Sequence, residues 1–285
     1  MTDPSPTEQW SIAQAISGAR AKGIDRLDAQ LMLCALLNRP RSWLIAHDEQ
    51  PLCPTQSAKL TQWVSRRLDG EPLAYLLGQK EFYGLMLQVG PSVLVPRPET
   101  ELLVDWGLGL LQGPLAAISN PRVIDLGTGS GAIALAIKHR FQAASVVAVD
   151  CSAAALETAN CNAGSLNLNI DLVQGGWWSA VPGKRFDLAL SNPPYIAAGD
   201  LHLAALRHEP QNALIAHRDG LADLEEIIDG ARAHLNPDGW LLLEHGHDQA
   251  NALRQRLASA GFGQVQTLCD LAGLQRCTGG QVHLS

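Results

Sequence analysis

Val123-Ile124-Asp125-Leu126-Gly127-Thr128-Gly129-Ser130-Gly131 decides the fold: an apolar strand runs into a glycine-rich turn, and Ala132 opens a helix. Glycine lets the backbone turn tightly and approach a ligand closely, while the start of a helix offers unpaired N–H groups. The next strand, Ser145 to Val149, is closed by Asp150, where a carboxylate can accept both hydroxyls of a ribose. A nucleoside-containing cofactor is the natural ligand of such a pair. Gly127, Gly129 and Ala132 also satisfy the permissive dinucleotide fingerprint. Asp125 tilts the choice toward S-adenosylmethionine, because a carboxylate attracts its cationic amino-acid end and repels a pyrophosphate.

Outward from this stretch, strand and helix alternate. A helix from about Glu99 to Leu111 precedes it; a helix Ala132 to Arg140, the strand ending at Val149, a helix Ala153 to Ala163 and strands Ile170 to Val173 and Phe186 to Leu190 follow. Then come a helix Leu221 to His234, a turn at Asn236-Pro237-Asp238-Gly239, a strand Trp240 to Glu244, a helix Asp248 to Ala260 and two weaker strands. Such alternation implies a parallel sheet with helices on both faces. The first seventy residues differ. Leu60, Trp63, Val64 and Leu68 mark one face of a helix ending at Gly70, and Asp28 to Leu37 reads similarly, so a small helical bundle is expected. Short apolar runs at Phe82-Tyr83, Leu85-Met86-Leu87 and Val93-Leu94-Val95, set around Gly84, Gly90 and Pro91, read as a hairpin joining the two parts. The expected organisation is a helical domain over residues 1–80, a hairpin linker over 81–101 and a catalytic domain over 102–285.

The 285 residues are 46% hydrophobic and 17% charged, which excludes a disordered chain. Apolar runs such as Leu31 to Leu37 fall short of the ~20 residues that cross a bilayer, and Met1-Thr2-Asp3-Pro4 has no basic region leading into an apolar stretch. A soluble, cytoplasmic protein away from membranes is expected, and a monomer. Its six cysteines show no CxxC spacing, and its histidines other than His245 form no HxH or HExxH pattern, so neither a disulfide framework nor a metal site is expected. The net charge of −7 is unevenly spread: residues 1–90 hold nine Lys/Arg against nine Asp/Glu, which leaves twelve against nineteen for 91–285. That acidic second part counts against a phosphate backbone as the main ligand.

Asn192-Pro193-Pro194-Tyr195 follows the strand Phe186 to Leu190 at the carboxyl end of the sheet, where open α/β folds bind ligands. Two prolines fix the backbone and remove two donors, leaving a turn rich in acceptors. A planar NH2 group can give one hydrogen to the Asn192 side-chain oxygen and another to the Pro193 carbonyl, while Tyr195 covers its π face. Such a nitrogen is a poor nucleophile, so the site must hold it in line with the methyl group and favour the more pyramidal transition state. Together the two motifs point to an amino-group methyltransferase.

These residues resemble the class I S-adenosylmethionine-dependent methyltransferases that act on planar amino groups of adenine or glutamine. Leu94-Val95-Pro96-Arg97-Pro98-Glu99-Thr100-Glu101 is similar to the linker signature of the release factor glutamine methyltransferases, the PrmC/HemK family. Leu27-Asp28-Ala29-Gln30, Arg67-Leu68-Asp69-Gly70-Glu71-Pro72, Glu81-Phe82-Tyr83-Gly84, Glu209-Pro210, Arg218-Asp219-Gly220 and Leu243-Glu244-His245-Gly246 follow in the family's order. The resemblance implies a Rossmann-like, mostly parallel seven-stranded sheet and methylation of the Gly-Gly-Gln glutamine of peptide chain release factors in translation termination. Methylation of a ribosomal-protein glutamine, or of adenine in DNA or RNA, is the alternative. It implies that Asp125, Gly127, Thr128, Gly129, Ser130, Gly131, Asp150, Trp177 and Asn192 bind the cofactor. Asn192, Pro193, Pro194 and Tyr195 grip the substrate, with Asn192 and Pro193 catalytic. Gly175-Gly176 depart from the acidic or amide residue usual before that tryptophan, and Trp178 offers a competing register. Arg97 and Glu99 are expected near the cofactor mouth, orienting the substrate loop or fixing the hinge.

Overall fold

A computed structural model describes residues 10–282; the reading of Met1 to Pro4 lies outside the described residues. The chain forms two compact units that divide between Gly78 and Gln79. No helix among the described residues is long and apolar enough to cross a membrane.

The first unit holds α1 (Ile12–Ala21), α2 (Arg26–Leu37), α3 (Arg41–Ala46), α4 (Pro54–Leu68) and α5 (Leu73–Leu77). Ser11 and Gln14 form a reciprocal capping box at the start of α1, and Asp25 caps α2 by accepting from Leu27 N. Ile12, Met32, Leu33, Leu44, Leu60, Trp63 and Val64 make the core. Leu68 does not join it: the helix ends there and the side chain is exposed. Two motif residues do structural work, since Arg67 Nε donates to Asp28 Oδ2 at 2.8 Å and ties α4 to α2.

The second unit opens with the hairpin β1 (Gln79–Phe82) and β2 (Leu85–Gln88). Tyr83 and Gly84 both take positive φ, the two-residue turn that matches strand twist. Val93-Leu94-Val95 forms no strand, contrary to the apolar reading. After Gly90-Pro91 its backbone faces other partners, and Val95 N donates to the buried Glu209 Oε2 at 3.1 Å. Then follow α6 (Glu101–Gln112), β3 (Arg122–Leu126), α7 (Ala132–Arg140), β4 (Ser145–Asp150), α8 (Ala153–Leu166), β5 (Asp171–Gln174), β6 (Phe186–Ser191), and the short pair β7 (Ile196–Ala197) and β8 (Ile215–Ala216). The described residues continue with α9 (Ala222–His234), β9 (Leu235–Glu244), α10 (Ala250–Ser259), β10 (Phe262–Cys269) and β11 (Gln275–Val282). The Asn236–Gly239 turn lies inside β9, where the pairing with β6 shifts register between Phe186 and Leu188.

Seven strands pair in the order β10-β11-β9-β6-β3-β4-β5. Those from β9 to β5 are parallel, and β11 runs antiparallel between β9 and β10. This is the expected mostly parallel seven-stranded sheet with helices on both faces. Alternate residues serve opposite layers, as strand geometry requires. Val123, Ala148, Leu188 and Leu242 pack with α6 and α7, whereas Ile124, Val149, Ala189 and Leu241 pack with α9 and α10. A Cβ on Gly107 of α6 would stand 2.9 Å from Leu190 Cδ2, so glycine lets that helix lie close on the sheet. Sheet order reverses between β3 and β6, which opens the crevice at their carboxyl ends where such folds bind ligands.

Candidate active site

A cavity of about 370 Å³ opens at these strand ends. Its floor is the glycine turn, in which Gly127, Gly129 and Gly131 have φ of 75°, 54° and 84°. Side chains rarely adopt such values, so the turn requires glycine. Gly127 N and Thr128 N both donate to Val149 O, at 2.8 and 2.9 Å. Asp150 accepts from Gly129 N through Oδ2 and from Ser152 N through Oδ1, each at 2.9 Å, and lines the cavity. Each of its oxygens keeps a further lone pair for a ligand hydroxyl.

Not every expected residue faces the space. Gly127, Thr128, Gly129, Ser130 and Asp150 line it; Asp125 and Gly131 lie behind. Asp125 is fully buried, and its Oδ2 accepts from Thr128 Oγ1 at 2.6 Å and from Ala134 N at 3.2 Å, clamping the turn to α7. Its Oδ1 has no partner, and burial pushes the carboxyl up to about 7. A cationic group over the turn would favour its ionised form. Gly131 permits close packing, since a Cβ there would meet Leu135 Cδ1 at 3.0 Å. Asn162, which the sequence reading missed, holds the turn from behind: its Nδ2 donates to Ser130 O at 2.8 Å, while its Oδ1 accepts from Gln88 N in the hairpin.

The two tryptophans part company. Trp177 lines the cavity, and its ring lies 3.1 Å from where a Cβ on Gly127 would stand. Trp178 is buried among the α9 and α10 side chains, donates from Nε1 to Ile227 O at 2.8 Å and stacks on His234. Gly175 and Gly176 line the cavity with backbone alone, so no acidic side chain stands at their place.

Opposite them, Asn192 follows β6, whose last residue anchors the turn through Ser191 Oγ donating to Leu126 O at 2.6 Å. Asn192 Nδ2 donates to Thr100 Oγ1 at 3.2 Å, which directs the other end of the amide, Oδ1, away as an acceptor. Asn192 lines both the main cavity and a smaller one of about 80 Å³; Pro194 lines the first, while Pro193 and Tyr195 line the second with Leu94, Arg97 and Leu206. Arg97 spans both cavities and pairs with the buried Glu209 at 2.5 Å, whereas Glu99 is exposed.

Beneath Tyr195 sits Glu244 at the end of β9, buried, with the tyrosine hydroxyl donating to its Oε1 at 3.3 Å and Oε2 without a partner. Glu244 is not among the site residues expected from sequence; its signal is the place of Leu243-Glu244-His245 at the carboxyl end of the sheet. Burial pushes its carboxyl up to about 7 against the opposing pull of the Thr100 and Tyr195 hydroxyls. His245 beside it is structural, with its ring nitrogens 2.7 Å from Gly246 O and Thr278 Oγ1. A carboxyl that holds its proton more tightly when folded contributes stability below its ordinary pKa and loses it as pH rises through the folded value. Stability of the unliganded protein is therefore expected to fall between about pH 5 and 7. Glu244→Gln, neutral throughout, reduces that slope; urea unfolding at pH 5 and pH 8 checks it.

Among the described residues no group of three or more His, Cys, Asp and Glu could hold a metal ion. The cavity fits a cationic nucleoside instead: its size lies in the ~300–1,000 Å³ range of small-molecule sites, it carries an acceptor carboxylate at Asp150, and the unpartnered Asp125 Oδ1 lies under the turn.

Residues 11–78 match the PrmC N-terminal domain, and residues 101–274 the methyltransferase small domain. The release factor glutamine methyltransferase of Bordetella pertussis is 48% identical over 261 residues, covering 90% of this chain and 95% of that protein. The protein of the same name from Burkholderia pseudomallei is 43% identical over 290 residues, covering 99% and 98%. In fold, the chain is similar to a 16S rRNA methyltransferase of T. thermophilus solved with S-adenosylmethionine and guanosine, with a TM-score of 0.53 at 21% identity over 72% of this chain and 50% of that one. With such identity along nearly its whole length, the chain belongs to the release factor glutamine methyltransferases, enzymes that use S-adenosylmethionine.

Proposed function

We propose that this chain methylates the side-chain amide nitrogen of the glutamine in the Gly-Gly-Gln loop of peptide chain release factors. The observation that carries this reading is the orientation of Asn192 where the two cavities meet. With Nδ2 tied to Thr100, Oδ1 is left to accept from a planar NH2 group. S-adenosylmethionine supplies, when bound, a methyl carbon on a positively charged sulfur. Gly127 to Ser130, Asp150 and Trp177 hold it in the larger cavity, with the Asp150 carboxylate on the ribose hydroxyls.

The glutamine side chain enters the smaller cavity. Asn192 Oδ1 takes one amide hydrogen and the Pro193 carbonyl the other, while Tyr195 covers the amide face. Two acceptors on one NH2 push electron density toward nitrogen and hold it in place, which is worth more in the pyramidal transition state than in the planar ground state. No strong base is needed. After transfer the nitrogen is cationic, and its acidic proton leaves by the acceptor that already holds it, toward solvent. Thr100 keeps the Asn192 amide from flipping. Thr100→Val, which keeps the shape and removes the hydroxyl, is expected to lower kcat about tenfold, the size of one hydrogen bond. The KM for S-adenosylmethionine should move little; steady-state kinetics separates the two.

The acidic excess of residues 91–285 suits a basic protein loop better than a nucleic acid, and attraction of this kind speeds encounter. The helical unit serves recognition of the folded release factor, and the protein works in the cytoplasm where release factors act. Incubation with labelled S-adenosylmethionine and either a release factor or duplex DNA tests the reading. Label is expected on the release factor glutamine; label on DNA alone overturns it.

A further inference from the structure

The wall of the main cavity next to Trp177 has an unusual make-up. Gly175 and Gly176 contribute backbone only, and the carboxylate on that side comes from a different part of the chain, Asp223 in the first turn of α9. Asp223 lines the cavity beside Trp177, whose ring N–H favours the ionised carboxylate against the opposing effect of burial. It stands near enough to Cys151 for its charge to bear on that thiol, and Cys151, which follows Asp150, lines the cavity too. Partial burial holds the Asp223 carboxyl above its ordinary range. Among the described residues, Asp150 and Asp223 are the two acidic side chains that line the cavity.

Resting on the cofactor reading above, we propose that Asp223 recognises the exocyclic amino group of the cofactor's adenine. With Asp150 on the ribose, the base extends past Cys151 toward Trp177, the region Asp223 overlooks. An ionised carboxylate only accepts hydrogen bonds. Adenine's one exocyclic donor is its amino group, whereas N1, N3 and N7 are acceptors. Asp223 therefore favours the base edge that carries NH2 and opposes one that carries a carbonyl. With two oxygens, the carboxylate can face the Trp177 N–H and the base at once.

Calorimetry with two compounds that differ at this single position tests the assignment. S-adenosylhomocysteine carries the amino group, and its 6-deamino analogue, with purine as the base, carries only a hydrogen in its place. The full-length wild-type protein is expected to prefer the adenosyl compound at least about tenfold, the size of a charged hydrogen bond. Asp223→Ala should shrink the preference to about threefold or less, chiefly by weakening the adenosyl compound. Trp177→Phe, which removes the N–H and keeps the carboxylate, should weaken both ligands and retain the preference. Equal loss for both ligands in Asp223→Ala, with the ratio unchanged, would show that Asp223 merely anchors Trp177 and would overturn the proposal. Wild-type protein that binds the two equally would do the same. Failure of the wild-type protein to bind either would instead strike at the cofactor reading on which the proposal rests.

Discussion

Asn192→Ala is expected to lower kcat for release factor methylation by about 10² to 10³, the scale on which loss of one preorganised polar group at a reacting centre is felt. Affinity for S-adenosylmethionine should stay within about threefold, because one hydrogen bond at the edge of a cavity this size contributes little to a ligand held at many points. The asymmetry is the informative part. Alanine removes both the acceptor and the arm that reaches Thr100, so the amide nitrogen loses alignment as well as electron density. Single-turnover methylation beside calorimetry separates the two quantities. An equal loss in both would place Asn192 with the cofactor and leave the substrate amide without its main acceptor.

Asp150→Ala is expected to have the opposite profile, weakening S-adenosylmethionine binding by about 1–3 kcal/mol, or roughly five- to 150-fold, for lost charge-assisted hydrogen bonds. The upper end of that range is the more reasonable. Asp150 also accepts from Gly129 N and Ser152 N, so its removal loosens the turn that carries the cofactor and the start of α8 together. With saturating cofactor, kcat should recover most of its wild-type value. Calorimetry that finds unchanged affinity contradicts the ribose role.

The sheet was legible because its signal is local. Strand and helix periods alternate from Val123 onward, and α7 occupies the very span Ala132–Arg140 that the pattern predicts. The glycine turn was legible for the same reason, since chain direction, missing side chains and Asp150 all lie within one βαβ segment. What stayed hidden depends on residues far apart in the chain. Thr100 meets Asn192 across 92 positions, and Glu244 meets Tyr195 across 49; neither spacing leaves a periodic trace. Val93-Leu94-Val95 misled for a related reason. Its apolar residues are partly or wholly buried as a strand's would be, yet Val95 spends its N–H on Glu209, 114 positions away, instead of on a ladder. Asp125 shows a subtler limit: a carboxylate just before the first glycine is expected at the cofactor, while its bonds place it one layer behind, where it shapes the turn.

Adjacent tryptophans on a short loop have been given unlike jobs, and the loop's length is what keeps them apart. Trp178 fills a slot on α9 that exists because residue 230 is glycine: a Cβ there would stand 2.3 Å from Trp178 Cδ1. Trp177 is turned the other way by a backbone at φ 41°. Exchanging either ring for another aromatic changes fit by degrees. Deleting or inserting one residue between Gly175 and Ser179 changes which ring meets the slot and which meets the ligand, and so disturbs core and cavity in one stroke. Evolution can therefore vary the letters of this loop far more readily than their number.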